Sequence, residues 1–230
     1  MIAVTFALPA ESAAFLHLLG EKSRRECNGF AIISGKIDNH EIEVLHTGVG
    51  EKICRQRMAS FLPDRQFSYL ISAGFAGGLT DQLHAGDALL ARNFSTIQLP
   101  EAANRSMRYA DLHTAPAMID SREEREKLAQ VTGAAAVDME TKFIARACAE
   151  HALPVLSLRV ISDTPAEPLP APPDVLFELM SQRTNLAKLA AFFLAHPGRV
   201  PRLIQFARRI ARARKTLAKG IVDIVGSIEP

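Results

Sequence analysis

Ala135-Ala-Val-Asp-Met-Glu140 and Leu158-Arg-Val-Ile-Ser-Asp163 are the two stretches on which the fold turns. Ala134 to Val137 is a short apolar run followed at once by Asp138-Met139-Glu140. Val155 to Ile161 is a second run, richer in Val, Leu and Ile, and it delivers Ser162-Asp163 at its end. Runs of this length with both faces apolar read as strands buried inside an α/β sheet. Ligands of such sheets lie beyond the carboxyl ends of the strands. Acids placed there by two separate strands are candidates for hydroxyl binding and proton transfer.

The rest of the chain alternates strand and helix patterns around these two runs. Ile2 to Leu8 reads as a first strand, and Pro9 suits the first turn of a helix, where its missing N–H costs nothing. Phe30 to Gly35 and Glu41 to Thr47 read as a strand pair around Asp38-Asn39-His40. Lys52 to Leu62 reads as a helix stopped by Pro63. Phe67 to Ala73 is a strand entering a glycine loop, and Asp87 to Ala91 is the next strand. Arg122 to Thr132 and Lys142 to His151 are amphipathic helices, Val175 to Ala195 one long helix, and Arg202 to Ala218 another. This alternation implies a layered α/β sandwich. Asn93 to Ala110 is polar and weakly periodic. Thr164 to Pro173 holds five prolines and is stiff, so it is either a wall of the pocket beside Asp163 or a connector.

The 230 residues, 48% of them hydrophobic, suffice for one large domain. Cys27, Cys54 and Cys148 are scattered and show no metal spacing, so neither a metal nor a disulfide framework is expected. Met1-Ile-Ala-Val-Thr-Phe-Ala has no positive n-region, and no run is long and apolar enough to span a membrane, so a cytoplasmic protein is expected. The net charge is +2, yet Arg199 to Lys219 holds eight Lys/Arg and no acid. The body of the chain is therefore net negative. With Phe206 as its one aromatic and no nucleic-acid motif, the basic segment does not point to nucleic acid.

Four motifs, in order, carry a resemblance. Val137-Asp-Met-Glu-Thr141, Ala7-Leu-Pro-Ala-Glu11, Thr47-Gly-Val-Gly-Glu-Lys52 and Ser72-Ala-Gly-Phe-Ala-Gly-Gly-Leu79 resemble the signatures of the nucleoside phosphorylase superfamily, in particular its methylthioadenosine/S-adenosylhomocysteine nucleosidases. The Pro-rich loop and basic tail are further similar to the hopanoid-biosynthesis-associated phosphorylases. The resemblance spans roughly residues 1–195 as a catalytic domain, with 196–230 as a basic helical extension. It implies a three-layer α/β/α sandwich with a twisted mixed sheet. The activity implied is cleavage of the N-glycosidic bond of an adenine nucleoside, 5′-substituted like methylthioadenosine or adenosylhopane. Inorganic phosphate would be the one co-substrate to consider, and a homodimer or higher homo-oligomer is implied. Against that pattern the stretch between Ala91 and Leu112 is short.

Such cleavage develops positive charge on the ribose and negative charge on the base. The resemblance implies that Asp163 protonates the purine, which requires burial to keep it protonated near neutral pH; by residue type alone it is equally a turn or N-cap acid. Glu140 is implied to hold the ribose hydroxyls through two acceptor oxygens, with Met139 packed on the sugar and Asp138 as helix cap. Asp138 stands where relatives carry Glu. Glu11 matches the acid that activates water; its alternative is a first-turn acid favoured by the helix dipole. Gly74, Gly77 and Gly78 would let the backbone approach a ligand closely, next to Ser162. Phe75 and Ser72 stand where phosphate-binding relatives carry a serine and an arginine. Their loss argues for water, and Arg24, Arg25, Arg55 and Arg57 are the unplaced cations that would have to compensate. Met118-Ile119 matches the pair beside the purine. His46, His84 and His113 are read as structural or surface residues.

Leu203, Ala207, Ile210, Leu217 and Ile221 fall near one face of the tail helix, with arginines over the rest. Two readings stand: a basic amphipathic helix on anionic lipid, placing the protein at the inner membrane face through 199–219, or a helix docked on protein. A second reading of the whole chain is a catalytically impaired nucleoside-binding protein on the same fold.

Overall fold

The computed structural model describes residues 1–100, 106–178, 182 and 184–228. Its centre is a mixed sheet. The described strands are β1 (Ile2–Phe6), β2 (Gly20–Cys27), β3 (Phe30–Ile37), β4 (His40–His46), β5 (Tyr69–Gly78), β6 (Ala88–Ala91), β7 (Met107–Ala110), β8 (Leu112–Thr114), β9 (Ala136–Asp138) and β10 (Val155–Asp163). The order is β2-β3-β4-β1-β5-β10-β6-β7, with β9 pairing β5 and β8 off this path. β1, β4, β5 and β10 run parallel through the middle, while β6 is antiparallel to β10. Central strands read as continuous apolar runs because helices cover both faces. Ile2, Val4 and Phe6 turn to one face, where Phe15 of α1 (Pro9–Leu18) and Leu217 and Ile221 of the last helix pack. Ala3 turns to the other, under Met58 of α2 (Glu51–Phe61) and Ile144 of α4 (Thr141–Glu150). The helix between β8 and β9, α3 (Arg122–Thr132), begins at Ser121, whose side chain accepts from the Glu124 N–H, and ends at Gly133 in the left-handed region.

Four segments differ from the sequence expectation. β2, GEKSRREC, has no apolar face; it is an edge strand whose charges guard its open side. The glycine segment is no loop, because β5 continues through Gly78. The long helix expected over Val175 to Ala195 is two: α5 (Pro173–Leu176) and α6 (Leu186–Ala195). Phe177 is extended, and its side chain joins Val49 and Met139. Asn185, a strong capping residue, opens α6 by accepting from the Lys188 N–H at 3.1 Å. Between Asn93 and Ala110, a 3-10 turn is tied to Leu112 through both amide atoms of Asn93, and β7 follows. Residues 101–105 of that stretch lie outside the described residues.

The last helix, α7 (Val200–Val225), runs seven residues beyond Ala218 and has two unlike halves. Leu217, Ile221 and Ile224 are buried in the main core with Leu158 and Val160 of β10. A Cβ at Gly220 would sit 3.0 Å from Leu158 Cδ2, so helix and strand are in close contact there. Ala207 is exposed, against the single apolar face read from the sequence. The first half is held by Leu203, in a small cluster with Val175 and Phe193, and by Arg209, which pairs with Glu167 at 3.1 Å.

Leu217→Ala is therefore expected to cost about 2–5 kcal/mol, the usual range for an emptied core leucine. Ile204→Ala, on the exposed half, should stay within about 0.5 kcal/mol of the parent. Urea unfolding of both variants checks this; equal costs would show that the two halves are not distinct.

Candidate active site

Arg159 projects from β10 into a polar hub beneath the sheet's carboxyl edge. Its guanidinium is 3% exposed. Nε donates to Asp138 Oδ2 at 3.0 Å, Nη1 to the Ser72 carbonyl at 2.6 Å, and Nη2 to Ser72 Oγ at 2.9 Å and to Thr141 Oγ1. Asp138 also accepts from Thr114 Oγ1 at 2.9 Å and from the Thr141 N–H at 3.1 Å. It thus caps the start of α4, as expected, and neutralises Arg159 as well. The sequence carried the signal, since an arginine inside an apolar strand needs a buried partner.

Glu11 and Glu140 stand over this hub, each 8% exposed. Glu11 follows β1 in the first turn of α1. Its Oε1 accepts from the Phe75 N–H and its Oε2 from the Leu8 N–H, both at 2.9 Å. Burial pushes its carboxyl above the ordinary value, against the opposing pull of these N–H groups and Arg159. Glu140 follows β9, and its Oε1 accepts from the Gly50 N–H at 2.8 Å. Gly50 has φ +90°, a conformation that favours glycine. Burial, and then the neighbouring Asp138 charge, pushes Glu140 up to about 8. Glu11 adds to that rise, so the two glutamates converge on one region.

Asp163 closes β10 and is 6% exposed. The burial expected for it is present, together with a partner the sequence reading missed. Arg125 of α3, 1% exposed, donates from Nη2 to Asp163 Oδ2, from Nη1 to the Gly78 carbonyl at 2.9 Å and from Nε to the Ile119 carbonyl at 3.1 Å. Ser162 Oγ lies 2.5 Å from Asp163 Oδ1 and 3.3 Å from the Ala76 carbonyl. Arg125 lies three and four residues before Leu128 and Ala129, on the apolar face of its helix, and that was its available signal.

The glycines of β5 seat these side chains against the strand. A Cβ at Gly74 would stand 3.1 Å from Glu11 Oε1, and one at Gly77 would stand 3.3 Å from Arg125 and 3.4 Å from Asp163 Oδ2. The two acids thus lean on β5 about 10 Å apart along the strand. The phenyl ring of Phe75 packs against the main core, so its backbone, not its side chain, serves Glu11. A cavity of roughly 380 Å³ lies beside Met139, with Ala117, Met118, Pro173 and Phe177 as its apolar lining. Pro173, the end of the proline-rich loop, is thus part of its wall. Ile119 faces away into a cluster with Leu79 and Val137. Met139 and Phe177 also pack with Val49, Ala7 and Leu8, which adjoin the loops that hold Glu140 and Glu11. Among the cations left unplaced, Arg25 pairs with Glu43 at 2.6 Å, Arg55 with Glu51 at 3.0 Å, and Arg57 donates to the His46 carbonyl at 2.7 Å.

Residues 101–196 match the family model for the phosphorylase superfamily. A 5′-methylthioadenosine/S-adenosylhomocysteine nucleosidase of Glaesserella parasuis is 24% identical over 195 residues, covering 70% of this chain and 85% of the relative. These matches make the chain similar to the phosphorylase superfamily over that segment and to its nucleosidases over most of its length. Solved structures share its fold. The S. pneumoniae nucleosidase of the same name, bound to the transition-state inhibitor MT-ImmA, superposes with a TM-score of 0.72 over 99% of both chains at 18% identity. The futalosine hydrolase of Helicobacter pylori superposes with a TM-score of 0.70 over 98% of this chain and 97% of that one, at 19% identity.

The raised acids fix a pH signature for this protein. Between the ordinary 4.5 and about 8, folded Glu140 keeps a proton that the unfolded chain releases, so stability falls as pH rises. Glu11 acts in the same sense. His46, lowered by burial from 6.5 to about 4, acts oppositely but only below about pH 6.5. The melting temperature of Glu140→Gln relative to the parent is therefore expected to rise steadily from pH 6.5 to 8. A flat difference across that range would show that Glu140 does not titrate there.

Proposed function

We propose that this protein hydrolyses the N-glycosidic bond of an adenine nucleoside carrying a 5′ substituent. The observation that carries this reading is the set of buried carboxylates at the sheet's carboxyl edge, two of them pushed upward by burial. The nucleosidase relatives supply the substrate class.

The chemistry follows from where the acids stand. Glu140 has one oxygen bonded to Gly50 and offers Oε2 to the ribose hydroxyls. Glu11, pushed above its ordinary value by burial yet held by two N–H groups, takes the proton of a water that attacks C1′. The C1′–N9 electron pair leaves with the purine, which takes its proton from Asp163. Water is favoured over phosphate because the donors near β5 are spoken for. Ser72 Oγ is bonded to Arg159 and the Phe75 N–H to Glu11, while Arg25, Arg55 and Arg57 serve protein partners. The apolar cavity beside Met139 takes the 5′ side, and its lining suits a methylthio group or a larger apolar substituent such as that of adenosylhopane.

Product analysis tests the reading. Adenine should appear from 5′-methylthioadenosine without phosphate. Glu11→Gln and Asp163→Asn should each lower kcat by roughly 10²–10⁴-fold, with Asp163→Asn still binding substrate. Adenine release that requires phosphate overturns the choice of water. Binding of nucleosides without any adenine release, with or without phosphate, favours the non-catalytic binding protein.

A further inference from the structure

Among the described residues nine large apolar side chains are exposed, and four of them, Leu186, Leu194, Val200 and Ile204, fall in the single stretch 186–204. Their spacing is helical. α6 turns Leu189, Phe192 and Phe193 inward, onto Ala171, Val175 and Leu203. That leaves Leu186, Ala190 and Leu194, four apart, on its outer side, with Leu194 83% exposed. On α7, Val200, Ile204, Ala207 and Ala211 recur at intervals of four, three and four, and all are exposed. Arg208, Arg212 and Lys215, also exposed, border that stripe. An apolar stripe edged by cations, on helices whose inner faces are already packed, has nothing further to cover within the described chain.

Charge identifies the occupant. From residue 179 to 222 the chain has ten Lys/Arg and no Asp or Glu. Lys188, Arg209 and Lys219 reach acids on Asp174, Glu167 and Asp223. Arg202, Arg208, Arg212 and Lys215 make no ion pair among the described residues. A second copy joined through the same face would set these cations against one another, and like charges in contact are repulsive. An anionic bilayer satisfies both components at once. Leucine and isoleucine enter the acyl boundary, while long basic side chains reach the headgroups.

We propose that the outer faces of α6 and of the first half of α7 form a docking surface for an anionic lipid membrane. The same segment reaches the cavity: Asp174 and Lys188, paired at 2.7 Å, line it beside Met118. A membrane held by α6 therefore borders the opening through which an amphiphilic nucleoside enters, and this last step alone rests on the function proposed above.

The test is flotation of the full chain with phosphatidylcholine vesicles, with and without phosphatidylglycerol. The chain should bind the phosphatidylglycerol vesicles, and the bound fraction should fall as salt rises. Leu194→Glu combined with Ile204→Glu, and separately Arg208→Glu with Arg212→Glu, should each weaken binding roughly tenfold or more without moving the melting temperature. Absence of binding to phosphatidylglycerol vesicles at low salt overturns the proposal, as does binding that both double variants retain. Self-association that the Leu194→Glu/Ile204→Glu variant abolishes also overturns it, by assigning the face to a second copy. These readouts need no catalysis, so they stand or fall separately from adenine release.

Discussion

The buried pair of Arg159 and Asp138 is the constraint on which the site depends. It joins β10 to β9 and the start of α4, and through Ser72 it reaches β5. Two charges taken out of water are costly, and their attraction compensates only when the remaining donors and acceptors are also satisfied. Here they are: the guanidinium finds two carbonyls and two hydroxyls besides the carboxylate, and Asp138 finds two hydroxyls and an amide. Losing one partner would leave the other buried and uncompensated, typically about 3–5 kcal/mol. The hub thus fixes the strand end from which Glu140 extends and lowers the cost of holding Glu11 and Glu140 nearby, since Arg159 opposes the rise of both.

That arrangement sets stability against chemistry. A glutamate 8% exposed with one N–H partner is an expensive group to leave ionised, and its displacement toward neutral pH measures the cost. Among the described residues Glu140 has a single donor where Asp138 has several. Asp138 is saturated by the protein. Glu140 keeps capacity for a ligand. Perturbed acids gathered at one sheet edge are the ordinary mark of a working site, although structural networks also produce them; here the structural network and the perturbed acids are different residues.

The central strands and the placing of Glu11, Glu140 and Asp163 at or just past their ends were legible because buried parallel strands announce themselves as apolar runs ending in acids. What escaped was whatever depends on contacts distant in sequence. β2 was hidden because an edge strand needs no apolar face. Arg125 reads as one more charge on a charged helix until the fold turns it inward. The glycines were legible as close-approach positions, but not that the approaching groups would be the protein's own Glu11, Arg125 and Asp163. The break between α5 and α6 follows from Phe177 packing against Met139 and Val49, a contact across about forty residues of chain or more that no local pattern encodes.

Arg125 bears directly on how a leaving base is handled. Both oxygens of Asp163 already face donors, Ser162 on one side and the guanidinium on the other. A nucleoside that bonds to Asp163 must therefore exchange one of these bonds on arrival. Ser162 is the partner suited to exchange, because its hydroxyl already has the Ala76 carbonyl at 3.3 Å to turn to and it is only half-buried. Arg125 is not, since two backbone carbonyls hold its other nitrogens in place. The Ile119 carbonyl among them adjoins Met118 of the cavity wall. The cavity wall and the orientation of Asp163 are in this way tied through one arginine.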